Sequence, residues 1–189
     1  MEKVDTKTAL MDAAEHEVRQ KGADGFSYKD LSEKVGIRKA SIHYHFPNKA
    51  DLLTAIMARY AEKTLNAVED FSASHDLAGP QLIEFVTLYR NALQDCSALC
   101  LCVAYTVSQD ALDTKTTSEI DRFRSRLLDW LTQVFAAGKR DGSVEGVGDP
   151  GFEAAAALAL VEGAQITARI GGQISLYDAA TKIFRDRLD

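Results

Sequence analysis

Three helix-boundary signals crowd between Ser27 and Asn48, confining this stretch to helices of roughly two turns each. "SYKD" (Ser27 to Asp30) has the form of a capping box, with Ser27 as N-cap and an acid three residues on. Leu31 and Val35 then supply one apolar face, and Gly36 stops it. The spacing predicts a second short helix from about Lys39 to His45 that turns Ile42 and Phe46 inward at i and i+4, with Pro47 and Asn48 ending it. Two short helices joined by a glycine-containing turn form a helix-turn-helix.

With Ile42 and Phe46 committed to a core, the remaining side chains of the second helix, including Lys39, Ser41, His43, Tyr44 and His45, include several that must project outward. The second helix of such a unit enters the DNA major groove, with flanking donors on phosphates. Charge agrees: between Ser27 and Ala50 five bases face two acids. Residues 1–60 carry net +1 and residues 61–189 net −7, so the acid sits C-terminal. Lys49 opens the next helix, where a cation opposes the helix dipole unless an anion is near; a DNA phosphate would be one.

The stretch "FSYKDLSEKVGIRKASIHYHFPNKADLL" resembles the TetR family of bacterial transcriptional regulators, whose pattern ends in Y-x-H-F-x-x-K-x-x-L. His45, Phe46, Lys49 and Leu52 fall on it. His43 stands where the family mostly has Tyr, Tyr44 follows it, and Arg38 replaces the common Ser or Thr. The resemblance implies an all-α chain with an N-terminal three-helix DNA-binding domain (1–48) and a larger C-terminal regulatory and dimerisation domain (49–189). It also implies a repressor that binds a double-stranded, pseudo-palindromic operator as a homodimer and is released by a small-molecule inducer. The candidate DNA contacts are Ser27, Arg38, Lys39, Ser41, His43, Tyr44 and Lys49. His45 reads equally as a buried residue helping the turn to pack.

Helical periodicity runs through the remainder. Leu10, Ala13, Ala14 and Val18 share a face of a first helix closed by Gly22 and Gly25; Leu52, Leu53, Ile56, Met57 and Tyr60 share another, in a long helix that would tie the head to the rest. "SASHDLAG" breaks it, and Pro80 reads as the first position of the next helix, with Leu82, Phe85, Val86, Tyr89 and Leu93 inward. Ile120, Phe123, Leu127, Trp130 and Val134 form a further stripe before Gly138 and Gly142 loosen its end, and "SVEGVGDP" is a loop. The last two helices are Ala-rich (152–172) and amphipathic (176–188, with Leu176, Ala180, Ile183, Phe184 and Leu188 on one side). Family resemblance makes them the dimer seam, with Ala155, Ala159, Gly163 and Ile183 as candidates; packing inside one protomer is the alternative.

The exclusions are compositional. No apolar run reaches the length of a membrane span, and the charged N-terminus lacks the apolar core of a secretory signal, so a cytoplasmic, non-membrane protein is expected. Three cysteines in one segment make a poor disulfide framework. His43 and His45, at i and i+2 of a helix, point about 200° apart and do not share a metal ion. No nucleophile elbow or phosphate-binding glycine loop is present, so no enzyme and no cofactor are expected. Phe85, Tyr89, Tyr105, Phe123 and Trp130 could line an inducer pocket or simply be core. "ALCLCVAYTVSQD" is similar to a segment of electrophile-responsive family members, which makes Cys102 a candidate sensor, with Ser108 and Asp110 on the pattern and Leu101 where a Gly is usual. Arg169 is the candidate cation for its thiolate, and Cys96 and Cys100 would share a helical face. The other reading of the three thiols is small core residues.

Overall fold

The computed structural model describes residues 5–106, 108 and 112–188. Its elements are all helical: α1 Thr6–Lys21, α2 Tyr28–Val35, α3 Lys39–His45, α4 Lys49–Ser74, α5 Ala78–Ala92, α6 Leu101–Thr106, α7 Thr114–Asp141, α8 Pro150–Gly171 and α9 Ile174–Arg185. The chain divides into two compact units: Met1–Ala61 with Leu101–Asp121, and Glu62–Cys100 with Arg122–Asp189. Compactness thus divides the chain differently from a cut at 48/49, which marks where a motif ends; α4 and α7 each lend their first turns to the head unit.

In the head, α1 packs on α2 and α6, and α2 on α3. The capping box forms: the Ser27 amide donates to Asp30 Oδ2 at 2.7 Å and Ser27 Oγ accepts from the Asp30 amide. Gly36, in the left-handed region at φ 74°, closes α2 and frees the chain to turn into α3. Leu10, Leu31, Ile42, Leu52 and Ile56 are fully buried. The buried Tyr105 of α6 donates to the Leu53 carbonyl at 2.9 Å. Helix α6 has no sequence signature, because a six-residue run buried almost throughout shows no periodicity. Asp113 caps α7 by accepting from the Thr116 amide at 2.8 Å, which holds its carboxyl below the usual range.

In the second unit α8 packs on α9, and both pack on α5. Helix α5 starts at Ala78, two residues before the expected start at Pro80, because its first amides find acceptors: Asp141 takes Ala78 and Ser143 Oγ takes Gly79 at 2.8 Å. Pro80 still sits in the first turn, where no amide is needed. Gly138 does not loosen α7; a Cβ there would lie 2.6 Å from the Val144 side chain, so glycine lets the following loop close over the helix. The apolar residues of α9 divide between two faces. Tyr177, Thr181 and Phe184 face inward while Leu176 and Ile183 are exposed, Tyr177 being fixed by its hydroxyl on the Val86 carbonyl at 2.8 Å.

The cysteine segment departs most from a helical reading. Gln94, Asp95 and Cys96 have φ of 45°, 53° and 66°, three successive left-handed residues without a glycine, so Cys96 and Cys100 share no helical face. The turn is held from α8: the buried Gln165 accepts the Cys100 amide at 3.0 Å and donates to the Tyr89 carbonyl at 2.6 Å, and Arg169 donates to the Ser97 carbonyl at 2.5 Å.

Candidate nucleic-acid interface

Helix α3 is anchored by two side chains, Ile42 with no exposed surface and Phe46 with 3%. Burial of this size stabilises by roughly 1.5–3 kcal/mol per side chain. With that edge inward, Arg38, Lys39, Ser41, His43 and Tyr44 lie on the exposed surface, Tyr44 at 83%. Arg38 occupies the N-cap of α3 without a side-chain cap bond. Tyr44 meets His45 edge-on with ring centroids 5.2 Å apart, and His45 is half-buried.

Two candidates are engaged within the head. Ser27 Oγ donates to Asp30 at 2.8 Å, so its hydroxyl serves the cap of α2. The Lys49 ammonium lies 2.6 Å from the Phe26 carbonyl and 4.2 Å from the Phe26 ring centre. These contacts offset its position at the start of α4, and burial pushes its pKa down. Lys34, one of the five local bases, is bonded to Glu17 of α1.

Sequence reasoning missed Tyr28. Its hydroxyl lies 2.9 Å from the Phe46 carbonyl and 2.6 Å from that of Asn48, tying α2 to the turn between α3 and α4. Burial, with the Asp51 charge second, pushes this phenol up to about 12. Its ring meets His43 edge-on at 5.0 Å. The only sequence signal is an aromatic at the first position of a capped helix.

The candidate ligand residues do not form one set. Cys102, only 2% exposed, and Tyr105 line a cavity of about 170 Å³ within the head unit, with Thr106, Leu112, Thr117, Ile120 and Asp121. Phe85, Tyr89 and Trp130 form a ring cluster in the second unit, where Phe123 is also buried and the Trp130 indole donates to Ser72. Asp110 lies outside the described residues. Among the described residues no three His, Cys, Asp or Glu side chains converge to hold a metal, and no helix is long and apolar enough to cross a membrane.

Along α8 an exposed stripe runs through Phe152, Ala155, Ala159, Gly163, Ile166 and Ile170, with Phe152 at 79% and Ile170 at 84%. On α9 Leu176 and Ile183 are exposed.

A two-helix motif presenting a short, donor-rich second helix on an all-helical body defines the class of helix-turn-helix transcriptional regulators. Residues 10–56 match the family model of the bacterial regulatory proteins, tetR family. The whole chain is similar to a transcriptional regulator of the TetR family from Agrobacterium tumefaciens, at 26% identity and TM-score 0.90, with 97% of each chain covered. It is also similar to a TetR transcriptional regulator from Legionella pneumophila, at 23% identity and TM-score 0.89, with 100% of each covered. A third similar fold is that of a putative transcriptional regulator from Saccharomonospora viridis in complex with choline, at 17% identity, TM-score 0.77 and 96% coverage of each chain. No curated protein matches the sequence. Residues 10–56 thus place the head in the TetR family of bacterial transcriptional regulators, and the fold of the chain is that of solved TetR-family regulators.

Proposed function

We propose that this regulator is a repressor that binds a pseudo-palindromic operator as a homodimer and leaves it when a small molecule binds. The observation that carries the reading is α3, whose apolar edge is spent on Ile42 and Phe46 while Arg38, Lys39, Ser41 and Tyr44 stand exposed. Arg38 and Lys39 supply phosphate contacts, and Ser41 and Tyr44 reach toward base edges or the backbone. The exposed apolar stripe of α8, with Ile183 and Leu176 of α9, supports self-association, because a face this apolar gains by leaving water. Two heads then read two half-sites.

For the inducer, the cavity beside Cys102 and Tyr105 suits a compact molecule with an apolar body, and Asp121 among its lining residues favours one that also carries a hydrogen-bonding or cationic group. That a regulator of the same fold is found with choline fits a small ligand of this kind.

Duplexes selected from a random pool, then footprinted, test the operator. Lys39→Ala should weaken binding to all sequences and lower the salt slope by about one phosphate contact. Sedimentation of Ala159→Arg tests assembly: an unpaired charge on the seam should leave a folded monomer and weaker operator binding. A dimer that survives Ala159→Arg, or an unchanged salt slope in Lys39→Ala, overturns the corresponding assignment.

A further inference from the structure

His43 lies in the last turn of α3, exposed, with Nδ1 3.1 Å from the Pro47 carbonyl oxygen. A carbonyl only accepts, so this bond requires the proton of the neutral ring to sit on Nδ1. Nε2, on the far edge of the ring, is then a lone pair. The DNA backbone likewise offers phosphate oxygens that only accept. A neutral His43 held on Pro47 therefore has nothing to donate, whereas the imidazolium has both an Nε2–H and a positive charge.

Neighbouring helices set the surroundings of His43. From α2, Tyr28 meets its ring edge-on and is held neutral by burial. On the first turn of α4, Lys49 is turned onto Phe26, and the Asp51 charge acts on the Tyr28 hydroxyl. On α3 itself, Lys39 is one turn back and exposed. Among the exposed residues of α3, only histidine changes charge between about pH 5 and 8.

The geometry points to His43 as a proton-gated phosphate contact: operator binding takes up a proton at each head, so affinity rises as pH falls. This inference rests on the DNA-binding reading above and adds a regulation to it. Because the complex holds more protons than the free protein, affinity should rise by about three- to tenfold per pH unit per head across the histidine range and level off on either side. A neutral ring could donate from Nε2 only by releasing Pro47, and then affinity would not follow pH.

The test is fluorescence anisotropy of the full chain on a duplex recovered by selection, at constant ionic strength across that pH range. His43→Gln should bind with a flat profile, and His43→Lys, a permanent cation, should bind with a flat profile at the tight level. His45→Gln and His16→Gln should retain the wild-type slope. Nitrogen NMR of the free protein should find the neutral ring protonated at Nδ1. A flat wild-type profile, a His43→Gln slope equal to wild type, or an Nε2–H tautomer overturns the inference while leaving DNA binding intact. A folded wild type that binds no duplex at any pH overturns both.

Discussion

The Glu17 carboxylate receives the Lys34 ammonium at 2.7 Å and so binds α1 to α2 across the head. Its other oxygen takes Lys21 at 2.7 Å, and these bonds, led by that of Lys21, hold the acid below its ordinary range although burial acts the other way. A carboxyl depressed in the folded state contributes stability that is present above the ordinary value, here 4.5, and lost as pH falls through the folded one. Glu17→Gln should cost about 1 kcal/mol at neutral pH, the lysines being partly in water, and should flatten the acid limb of stability. Thermal melts between about pH 3 and 7 check this; a variant with the full wild-type acid slope would assign that slope elsewhere.

Tyr28→Phe should keep the ring against His43 and lose the hydroxyl from the Phe46 and Asn48 carbonyls. A loss of about 1 kcal/mol is expected in urea melts. Tyr44→Phe, at an exposed site, should leave the melt unchanged, so the pair separates a residue that positions α3 from one that faces outward.

Gln165→Leu should remove the bonds that the buried side chain makes to the Cys100 amide and the Tyr89 carbonyl, a cost of about 1–3 kcal/mol. Gln94→Gly should act in the opposite direction, by about 1 kcal/mol, because glycine accepts the left-handed region without the Cβ clash. Denaturant midpoints of the two variants check both signs.

Maleimide should label the half-exposed Cys96 of the native protein quickly, while Cys100 and Cys102 react only as the fold opens. Fast native labelling at Cys102, read by mass mapping, would mean that the wall of its cavity opens readily and would favour the sensor reading.

The head is legible in the sequence because its signals are local: Ser27, Gly36 and Pro47 act within a few bonds of where they stand. The exposed face of α3 follows by subtraction once Ile42 and Phe46 go inward. The turn at Gln94–Cys96 is not legible, since no glycine announces it and the residue that holds it, Gln165, comes 65 positions after Cys100. Lys49 shows the same limit from within the motif. Its spacing is visible, but the contact with Phe26, 23 positions earlier, exists only after the head has folded. On α9, composition shows an amphipathic helix, and only the Tyr177 hydroxyl on Val86 decides which edge is inside.

Helix α3 has seven residues, about 10 Å at 1.5 Å per residue, far below the length of about 12 residues at which an isolated helix begins to persist in water. A peptide of Lys39–His45 would therefore have no shape to offer a groove. The recognition surface is a property of the folded head, so DNA acts thermodynamically as a ligand of that fold: duplex should protect α1–α3 from proteolysis, and mild heating should weaken binding as the head begins to open.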